Sequence, residues 1–572
     1  MGTTHEVGML DAPRALPTRQ ARIADRARNP NVLLRVVLYL TFLTYLPTVL
    51  FDFVYDDVKL ILLNPWMASW KGIEMFFTRS FWAFADFPRA TDYYRPLVMT
   101  LFAVIRHTAG PAPGWFHLVV IGVHILAVYL TYRVACELTG DGTLAAIAAA
   151  IFGLHPTKIE SVAWISGVSD SLCLVFSLAC VLVYLRWKKS GERGHVPWSS
   201  FLMLLLAMLS KEMAVVIPVL IFLYEMLTDE SPIVNRVKSA FPVVAPYAMV
   251  VIAVLMLRFY ATRGIVGAPG YNFYSVPQAL IWYLSKQLWP LPISVQYPIL
   301  AVTQPSFLHF LVPLAAVLVS ALALICLLRK SVAGWFLTAW FVLTLSPVLA
   351  FGAVLQLHDR HMYVPSVATS IALAYLIVTI VKRQTRSGFP LQTAVVALVC
   401  VAMAVLTVHE ARYWSDDIKL FNRAIAVAPD HGDAYAALAA AYFSVKDVDN
   451  AERVGELWVQ NVVDPMGGWA TLAEVRRQRK DYAGARDALQ RALRCAKTPF
   501  GRVGPETGLG WLAQAEGNSG EAVYWYGLAA ARQPGVAMLH DMYGRALLQA
   551  GKTAEGKHEL QIAQRLRRHN AL

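Results

Sequence analysis

The sequence predicts an all-α protein: a polytopic bundle of membrane-spanning helices followed by an α-solenoid of helical repeats. Three observations predict this fold class. Across 572 residues, 57% are hydrophobic and only 16% are charged, whereas a soluble globular chain carries about 25% charged residues. Long apolar segments recur through residues 33–409, and alanine-rich amphipathic segments follow. This composition excludes a soluble enzyme, a disordered protein and a disulfide scaffold.

Charge and cysteine usage agree with a membrane protein. The formal net charge is +13, and the excess Lys and Arg of membrane proteins usually lie in cytoplasmic loops, so we expect no nucleic-acid partner. The six cysteines are scattered without a Cys-x-x-Cys pair. Neither a zinc site nor a disulfide framework is therefore expected.

The N-terminal residues 1–32 are polar and rich in arginine, which predicts a cytoplasmic tail. The apolar run from Leu33 to Phe53 is long enough to span about 30 Å of hydrocarbon, so we interpret it as an uncleaved first span. Residues 33–409 form the membrane domain, with about 11 to 13 spans expected from apolar segments. Some segments end at breaks such as His155-Pro156. Irregular backbone at membrane depth is tolerated only inside protein or along a wet cavity, so a site is expected there.

Residues 410–572 carry a repeat. Small residues at the predicted helix crossings, Ala451, Ala485, Ala522 and Gly556, are 34, 37 and 34 residues apart. A period near 34 with small crossing residues is typical of tetratricopeptide repeats. Stacked repeats of this kind form a concave surface that usually holds peptide. A plain scaffold or a dimerisation arm is the alternative.

A long loop, residues 54–94, separates the first two spans and is external if the N-terminus is cytoplasmic. Its many Trp and Phe residues favour the bilayer interface, so we expect short amphipathic helices along the membrane surface. Asp56 and Asp57 lie where the first helix leaves the membrane. Low dielectric and mutual repulsion would raise the pKa of at least one of them, which suits a general base. The alternative is that the pair ends the helix and meets water.

Five motifs occur along the chain. They are Val54-Tyr55-Asp56-Asp57 with Asn64-Pro65, Tyr94-Arg95-Pro96-Leu97, His155-Pro156-Thr157-Lys158-Ile159-Glu160 through Asp170, Ser210-Lys211-Glu212, and Asp359-Arg360-His361-Met362-Tyr363. In this order they resemble the transmembrane-and-tetratricopeptide-repeat (TMTC) family and its bacterial relatives, from about residue 33 to the end. The resemblance implies a GT-C glycosyltransferase fold and a polyprenyl-phosphate-linked sugar as donor. Animal members of the family are protein O-mannosyltransferases of the secretory pathway.

The resemblance also implies that the acidic pair of the first external loop supplies the catalytic base. Asp56 is the candidate base, and Asp57 is the candidate for orienting the acceptor or binding a metal. A single displacement at the anomeric carbon would invert its configuration. No cofactor is certain, and a divalent metal is an open alternative.

Cationic side chains of the motifs are candidates for binding the donor phosphate, because Arg offers a planar fork and Lys a compact charge. This set is Arg95, Lys211, Arg360 and His361, with Lys158 as a further candidate. The alternatives are snorkelling at a membrane face for the arginines and a simple helix break at Lys211. The candidate substrate-cavity residues are Tyr94, His155, Lys158, Glu160, Asp170, Glu212 and Tyr363.

The sequence therefore predicts a membrane glycosyltransferase that moves a sugar from a polyprenyl-phosphate donor to a protein hydroxyl, with the acceptor presented by the repeats. The alternatives are a GT-C transferase with a glycan or lipid acceptor, a transporter, and a non-enzymatic membrane scaffold with a peptide-binding repeat array. We expect a multi-pass protein of the inner (cytoplasmic) membrane. Its active site and repeats are expected to face the periplasm, which requires an odd number of spans.

Overall fold

The chain folds into helices joined by turns. The computed structural model describes residues 29–85, 93–191, 195–264, 273–298, 302, 304–329, 331–351, 356–384 and 389–571. Within these ranges there is no strand, and the predicted all-α class is confirmed. Residues 1–28, most of the predicted cytoplasmic tail, lie outside the described residues.

Seven helices of the described residues are long and apolar enough to cross a membrane, and the number is eight if one bent pair is counted as a span. The seven are Pro30–Leu50, Pro113–Thr139, Ile165–Ser190, Ile233–Ala261, Phe307–Leu328, Val332–Leu349 and Ala394–Trp414. The chain is thus a multi-pass membrane protein. Fewer full-length spans form than the predicted 11 to 13, because other apolar segments fold as helices of only 10–17 residues or as a bent pair.

Short helical turns interrupt the long helices of the membrane part. Its α-helices are Pro30–Tyr45, Ile73–Thr78, Pro96–Thr108, Pro113–Thr139, Gly142–Leu154, Ile159–Val162, Val168–Ser190, Trp198–Ser210, Ile217–Thr228, Ile233–Ala261, Val276–Leu288, Val312–Leu328, Val332–Phe351, Ser366–Gln384 and Phe389–Ala411. The short turns are Leu46–Leu50, Val58–Leu62, Pro65–Ala68, Trp70–Gly72, Pro156–Lys158, Ile165–Gly167, Glu212–Val216, Phe273–Ser275, Phe307–Leu311, Asp359–Met362 and Arg412–Trp414. Several of these turns carry the motif residues.

Proline and glycine determine the break after helix Gly142–Leu154. Pro156 begins the next turn, and the two segments are bent by 59°, because proline lacks the N–H that would continue the helix. Gly167 is the last residue of a later turn, Ile165–Gly167. A Cβ atom there would lie 2.4 Å from the carbonyl oxygen of Glu160. Only glycine permits this close approach, which sets the position of the neighbouring Ser166.

Consecutive helices of the C-terminal part pack on one another. They are Asp417–Val427, Gly432–Ser444, Val448–Asn461, Met466–Gln478, Tyr482–Cys495, Pro499–Ala515, Ser519–Arg532, Ala537–Gln549 and Thr553–Ala571. The predicted crossing residues Ala451, Ala485 and Ala522 have no exposed surface. Four residues before each of them, a side chain caps the same helix; these caps are Asp447, Asp481 and Asn518. Buried small residues and caps therefore recur together, and the tetratricopeptide-type repeat is confirmed.

The membrane part and the repeats share a hydrophobic core. Val54 of the first loop (residues 54–94) packs in one cluster with Trp164, Trp414 and Phe421. The predicted boundary at residue 409 falls inside helix Phe389–Ala411, so a membrane helix leads directly into the first repeat helix. The exact domain limits stay predictions. The shared core places the start of the solenoid against the first loop.

Candidate functional site

Four chain segments that carry the motifs meet at one place. They are the first loop, residues 155–170, the break at residues 210–212, and the turn Asp359–Met362. Hydrogen bonds join these segments: Lys211 bonds to Asp170, 41 positions away, and Arg360 bonds to Glu160, 200 positions away. Because the segments are turns and breaks rather than regular helices, their side chains can converge.

Asp57 attaches the first loop to the turn Ile165–Gly167. Its Oδ1 atom accepts from the Ser166 N–H over 2.9 Å and also from the Ser166 hydroxyl. Its Oδ2 atom accepts from the Val54 N–H over 3.3 Å. Burial raises the pKa of Asp57 to about 7, although these bonds lower it. The structure thus gives Asp57 an anchoring role, and the acceptor- or metal-binding role stays a prediction.

Asp56 is half-buried and has different surroundings. Burial raises the pKa of Asp56 to about 6, Arg360 and Lys59 lower it, and Asp417 raises it further. A carboxyl with this pKa is ionised at neutral pH yet basic enough to take up a proton during catalysis. Asp56 therefore retains the properties expected of a base.

Glu160 holds Arg360 beside this carboxylate. The Arg360 Nη1 atom donates to Glu160 Oε1 over 2.9 Å, and the Arg360 backbone N–H donates to Glu160 Oε2 over 3.0 Å. The guanidinium also lies over the Trp164 ring, 5.3 Å from its centroid. Since Glu160 is fully buried, the position of Arg360 is fixed by both its charge and its packing.

Two further cations are paired with carboxylates in the same way. Lys211 Nζ lies 2.6 Å from Asp170 Oδ1. Arg95 Nη2 lies 3.3 Å from Glu212 Oε2, and the Tyr94 N–H donates to Glu212 Oε1 over 3.4 Å. The predicted cavity residues Asp170 and Glu212 are therefore bonded to two of the predicted phosphate-binding cations, and their contact with substrate stays a prediction.

The four predicted phosphate-binding residues lie near one another. We call the three that carry a positive charge, Arg95, Lys211 and Arg360, the cationic cluster, and His361 lies among them as a neutral side chain. Burial lowers the pKa of His361 well below its ordinary value. The side chains whose charges add to this effect are His358, Arg360, Lys211 and Arg95. His361 Nδ1 also lies 2.9 Å from the Tyr283 hydroxyl. The structure thus brings the predicted set together.

The remaining predicted cavity residues are buried and bonded to other protein groups. Lys158 Nζ donates to Thr157 Oγ1 over 2.9 Å, and His155 Nδ1 lies 2.9 Å from the same oxygen. The Tyr94 hydroxyl donates to a backbone carbonyl over 2.9 Å. The Tyr363 hydroxyl lies 2.7 Å from a histidine nitrogen. Contact of these residues with substrate stays a prediction.

Sequence reasoning gave no role to Asp359 or Asp417. Asp359 is buried, accepts from the Tyr297 hydroxyl and lies 3.9 Å from Lys286 Nζ; burial raises its pKa to about 7. Asp359 is the first residue of one of the five motifs, and this position could have indicated that it belongs to the site. Asp417 accepts from the Tyr55 N–H over 2.7 Å, and no motif includes it.

No three His, Cys, Asp or Glu side chains of the described residues are grouped so that they could hold a metal ion. The open alternative of a divalent metal therefore finds no such ligand set in this part of the chain. The cationic cluster is the feature of the site that can neutralise a phosphate.

A groove of about 350 Å³ lies on the repeats. Its walls include Ala436, Ala439 and Ala440 of one helix, together with Trp458 and Glu474. Small side chains of one helix form one wall of this groove.

Similarity to known proteins is confined to part of the chain. No protein-family model matches it. Relatives include Protein O-mannosyl-transferase Tmtc2 and Tmtc1 of Drosophila melanogaster, 32% and 30% identical over 162 and 177 residues, and TMTC1 of Homo sapiens, 34% identical over 151 residues. These matches cover 27%, 31% and 25% of this chain but only 17%, 20% and 16% of the relatives. The chain thus spans about a fifth or less of the length of these three relatives. They confirm the resemblance to the TMTC family.

Comparison with solved structures finds only weak likenesses. An oligosaccharyltransferase of Archaeoglobus fulgidus is 13% identical with a TM-score of 0.38, over 75% of this chain and 60% of that chain. MamA is 18% identical with a TM-score of 0.24, over 27% of this chain and 88% of that chain. Both TM-scores are low, and the fold class is established by the helices and repeats of this chain itself.

Proposed function

We propose that this relative of the TMTC protein O-mannosyl-transferases is a membrane glycosyltransferase that moves a sugar from a polyprenyl-phosphate donor to a protein hydroxyl. The observation that carries the proposal is the half-buried Asp56 carboxylate beside Arg360, a cation that is itself held by Glu160. Lys211 and Arg95, each held by its own carboxylate, lie near Arg360. Transfer from a lipid phosphate requires such a base and such a site for the departing anion.

Asp56 is the base in this proposal. With a pKa of about 6, it is ionised at neutral pH and accepts the proton of the acceptor hydroxyl. The hydroxyl oxygen forms a bond to the anomeric carbon while the bond from that carbon to the phosphate oxygen breaks. The polyprenyl phosphate leaves with that electron pair, and the single displacement inverts the anomeric configuration.

The cationic cluster stabilises the leaving phosphate. Its paired members are in place before the donor arrives, so little reorganisation is needed as charge develops. The Arg95 Nε atom is buried and has no hydrogen-bond partner among the described residues. Such a group is costly unless a ligand satisfies it. The Arg95 side chain is partly exposed, and a small shift of its guanidinium towards a phosphate oxygen of the donor supplies the missing acceptor.

In the same proposal the repeats present the protein acceptor, and the site and the repeats face the outside of the cytoplasmic membrane, which is the periplasm of a Gram-negative host. The direct contact between the first loop and the first repeat helix, together with the groove on the repeats, supports this arrangement.

Mass spectrometry of exported proteins and glycolipids tests the proposal, in cells that carry the wild-type chain, Asp56→Asn or no copy. Asp56→Asn should reduce the sugar on exported proteins by about 100-fold or more, the usual range for loss of a general base. Glu74→Gln is the matched control, because Glu74 is an exposed carboxylate of the same loop. It should leave transfer unchanged.

Unchanged transfer by Asp56→Asn would refute the proposed base. Sugar that depends on this chain but appears only on glycolipids would assign the enzyme to the alternative class of acceptor. Measuring both pools in the same cells therefore separates the base from the acceptor.

A further inference from the structure

We propose that Asp417, in the first repeat helix, is a positioning residue: it fixes the backbone of Tyr55 and so places the neighbouring Asp56 carboxylate. This inference rests on the proposed function of Asp56 as the base. The first repeat helix would then help to position the base of the transfer site. This role is separate from any role of the repeats in presenting the acceptor.

The backbone of Tyr55 has a conformation that needs support. Its φ angle is +58°, in the left-handed region that residues with side chains seldom adopt. The Tyr55 N–H donates to Asp417 Oδ1 over 2.7 Å, across 362 positions of sequence. Hydrogen bonds to an ionised carboxylate are stronger than those to a neutral acceptor. This bond therefore holds the residue that directly precedes the base.

Neighbouring contacts hold the same stretch of chain against the repeat helix and the residues around its start. The Asp52 N–H donates to the Ser415 carbonyl oxygen over 3.1 Å. The Tyr55 ring contacts Trp164 and Phe421, with ring centroids 5.5 and 5.7 Å away. The chain is thus held at residue 52, just before the loop, and at residue 55, which directly precedes the base.

Capping of the repeat helix does not require Asp417. The preceding residue, Asp416, is the N-cap of helix Asp417–Val427, and its side chain accepts from the Lys419 N–H over 2.8 Å. The carboxylate of Asp417 is directed instead to the first loop. If Asp417 only stabilised its own helix, its bond to Tyr55 would have no explanation.

The charge of Asp417 also acts on the base. Burial is the main cause of the raised pKa of Asp56, and the Asp417 carboxylate raises that pKa further. The other charged groups that face Asp56 or the adjacent Tyr55 and Asp57 are Arg360, Lys59, Asp433 and Glu160. Removing the charge of Asp417 alone should lower the pKa of Asp56, so the base should stay ionised to a lower pH.

Two variants separate the geometric role from the charge. Asp417→Ala removes the acceptor for the Tyr55 N–H, and we expect kcat to fall about 10- to 100-fold, because small misplacements of a reacting group are costly. The KM for the polyprenyl-phosphate sugar should not change. Asp417→Asn keeps an acceptor oxygen, so we expect it to retain most of kcat and to shift the acid limb of the pH–rate profile to lower pH.

Asp449→Asn is the matched control, because Asp449 is an exposed acidic residue in the first turn of a later repeat helix. It should change neither kcat nor the pH profile. Thermal unfolding of each full-length variant in detergent shows whether it folds. If Asp417→Ala does not fold, Asp417→Ser takes its place, because serine is too short to accept from the Tyr55 N–H but stays polar, and wild-type kcat in that variant overturns the proposal.

The outcomes distinguish this inference from the proposed function. Wild-type kcat in Asp417→Ala, with Asp56→Asn inactive, overturns the positioning role and leaves Asp56 as the base. Wild-type activity in both variants refutes the base and with it the role of Asp417. A loss of kcat in Asp417→Ala that the Asn variant largely restores supports positioning.

Discussion

The two adjacent carboxylates of the first loop share a chemistry but not an environment. Asp57 is fully buried, and both of its oxygens accept hydrogen bonds from Ser166 or Val54. Asp56 is half-buried and faces Arg360. A carboxylate that is bonded on both oxygens fixes a loop, whereas one beside a cation at a partly open position can exchange a proton. The different burial of these adjacent residues therefore favours Asp57 as an anchor of the loop and Asp56 as the base.

The pKa of Asp56 determines a pH dependence. Burial raises that pKa to about 6, so below this pH the side chain is protonated and can no longer accept a proton. We therefore expect kcat/KM to be constant near neutral pH and to fall about tenfold per unit below the pKa of the base. A pH–rate profile in isolated membranes measures this limb, and recovery on return to neutral pH controls for denaturation. A flat profile through pH 6 would contradict the assignment of the base.

Arg95 offers a second prediction at the scale of one residue. Its buried Nε has no protein partner within the described residues, and lysine supplies neither this donor nor the planar fork. We expect Arg95→Lys to raise the KM for the polyprenyl-phosphate sugar about tenfold or more, since a hydrogen bond to a charged group contributes about 1.5–3 kcal/mol. Steady-state kinetics with varied donor measure the change.

Arg545→Lys is the matched control for this prediction. Arg545 has a largely exposed side chain paired with Asp541 in the repeats, where ion pairs contribute little. An increase in donor KM of equal size in both variants would show that Arg95 has no specific contact with the phosphate.

Helices and repeats could be predicted where the sequence pattern that indicates them lies within one segment of the chain. Apolar runs and the 34-residue period lie within single stretches of sequence, so the helical class and the repeats could be predicted. The number of spans could not, because a segment such as Trp198–Ser210 is apolar but ends early at Lys211, whose backbone is extended. The bond between Glu160 and Arg360 joins residues 200 positions apart, and spacing carries no signal for such a pair.

The turn Ile165–Gly167 supports a prediction at this scale. A Cβ at Gly167 would lie 2.4 Å from the Glu160 carbonyl oxygen, so Gly167→Ala must open the turn and displace Ser166, which anchors Asp57. We expect a loss of about 1–3 kcal/mol in stability, as for other overpacked sites, together with reduced transfer. Thermal unfolding in detergent and a transfer assay measure the two effects.

Gly122→Ala is the matched control for the turn. Gly122 lies inside helix Pro113–Thr139, and a Cβ there would have nothing within 4 Å. Alanine is the better helix former, so this variant should be at least as stable as the wild type. Equal behaviour of the two variants would show that the close approach at Gly167 is not needed.

In the whole molecule, contacts between helices place segments at two ends of the membrane part, which we expect to lie at its two membrane faces. Gly114 lies against Val49 at the end of the first span, and Gly142 lies against Pro30 at its start. Lys189 pairs with Glu137 near the end of helix Pro113–Thr139 and so belongs to the face of Pro30. The first loop and the repeats meet through the Tyr55–Asp417 bond and so share the opposite face.

Cysteine labelling in intact cells tests this arrangement. Lys71 of the first loop and Lys557 of the last repeat helix are exposed, as is Lys189. Lys71→Cys and Lys557→Cys should react with a membrane-impermeant maleimide from outside, because the positive-inside rule orients the arginine-rich N-terminus to the cytoplasm. Lys189→Cys should react only after permeabilisation. The wild-type chain, with its six native cysteines, gives the background.

Each labelling pattern has a distinct consequence for the site. Reaction of positions 71 and 557 from opposite sides would separate the repeats from the loop that carries the proposed base, and it would contradict the contact through Asp417. Reaction of both only after permeabilisation would keep that contact but place the transfer site in the cytoplasm. Exported proteins would then meet the site only before export, so acceptor and compartment must be assigned together.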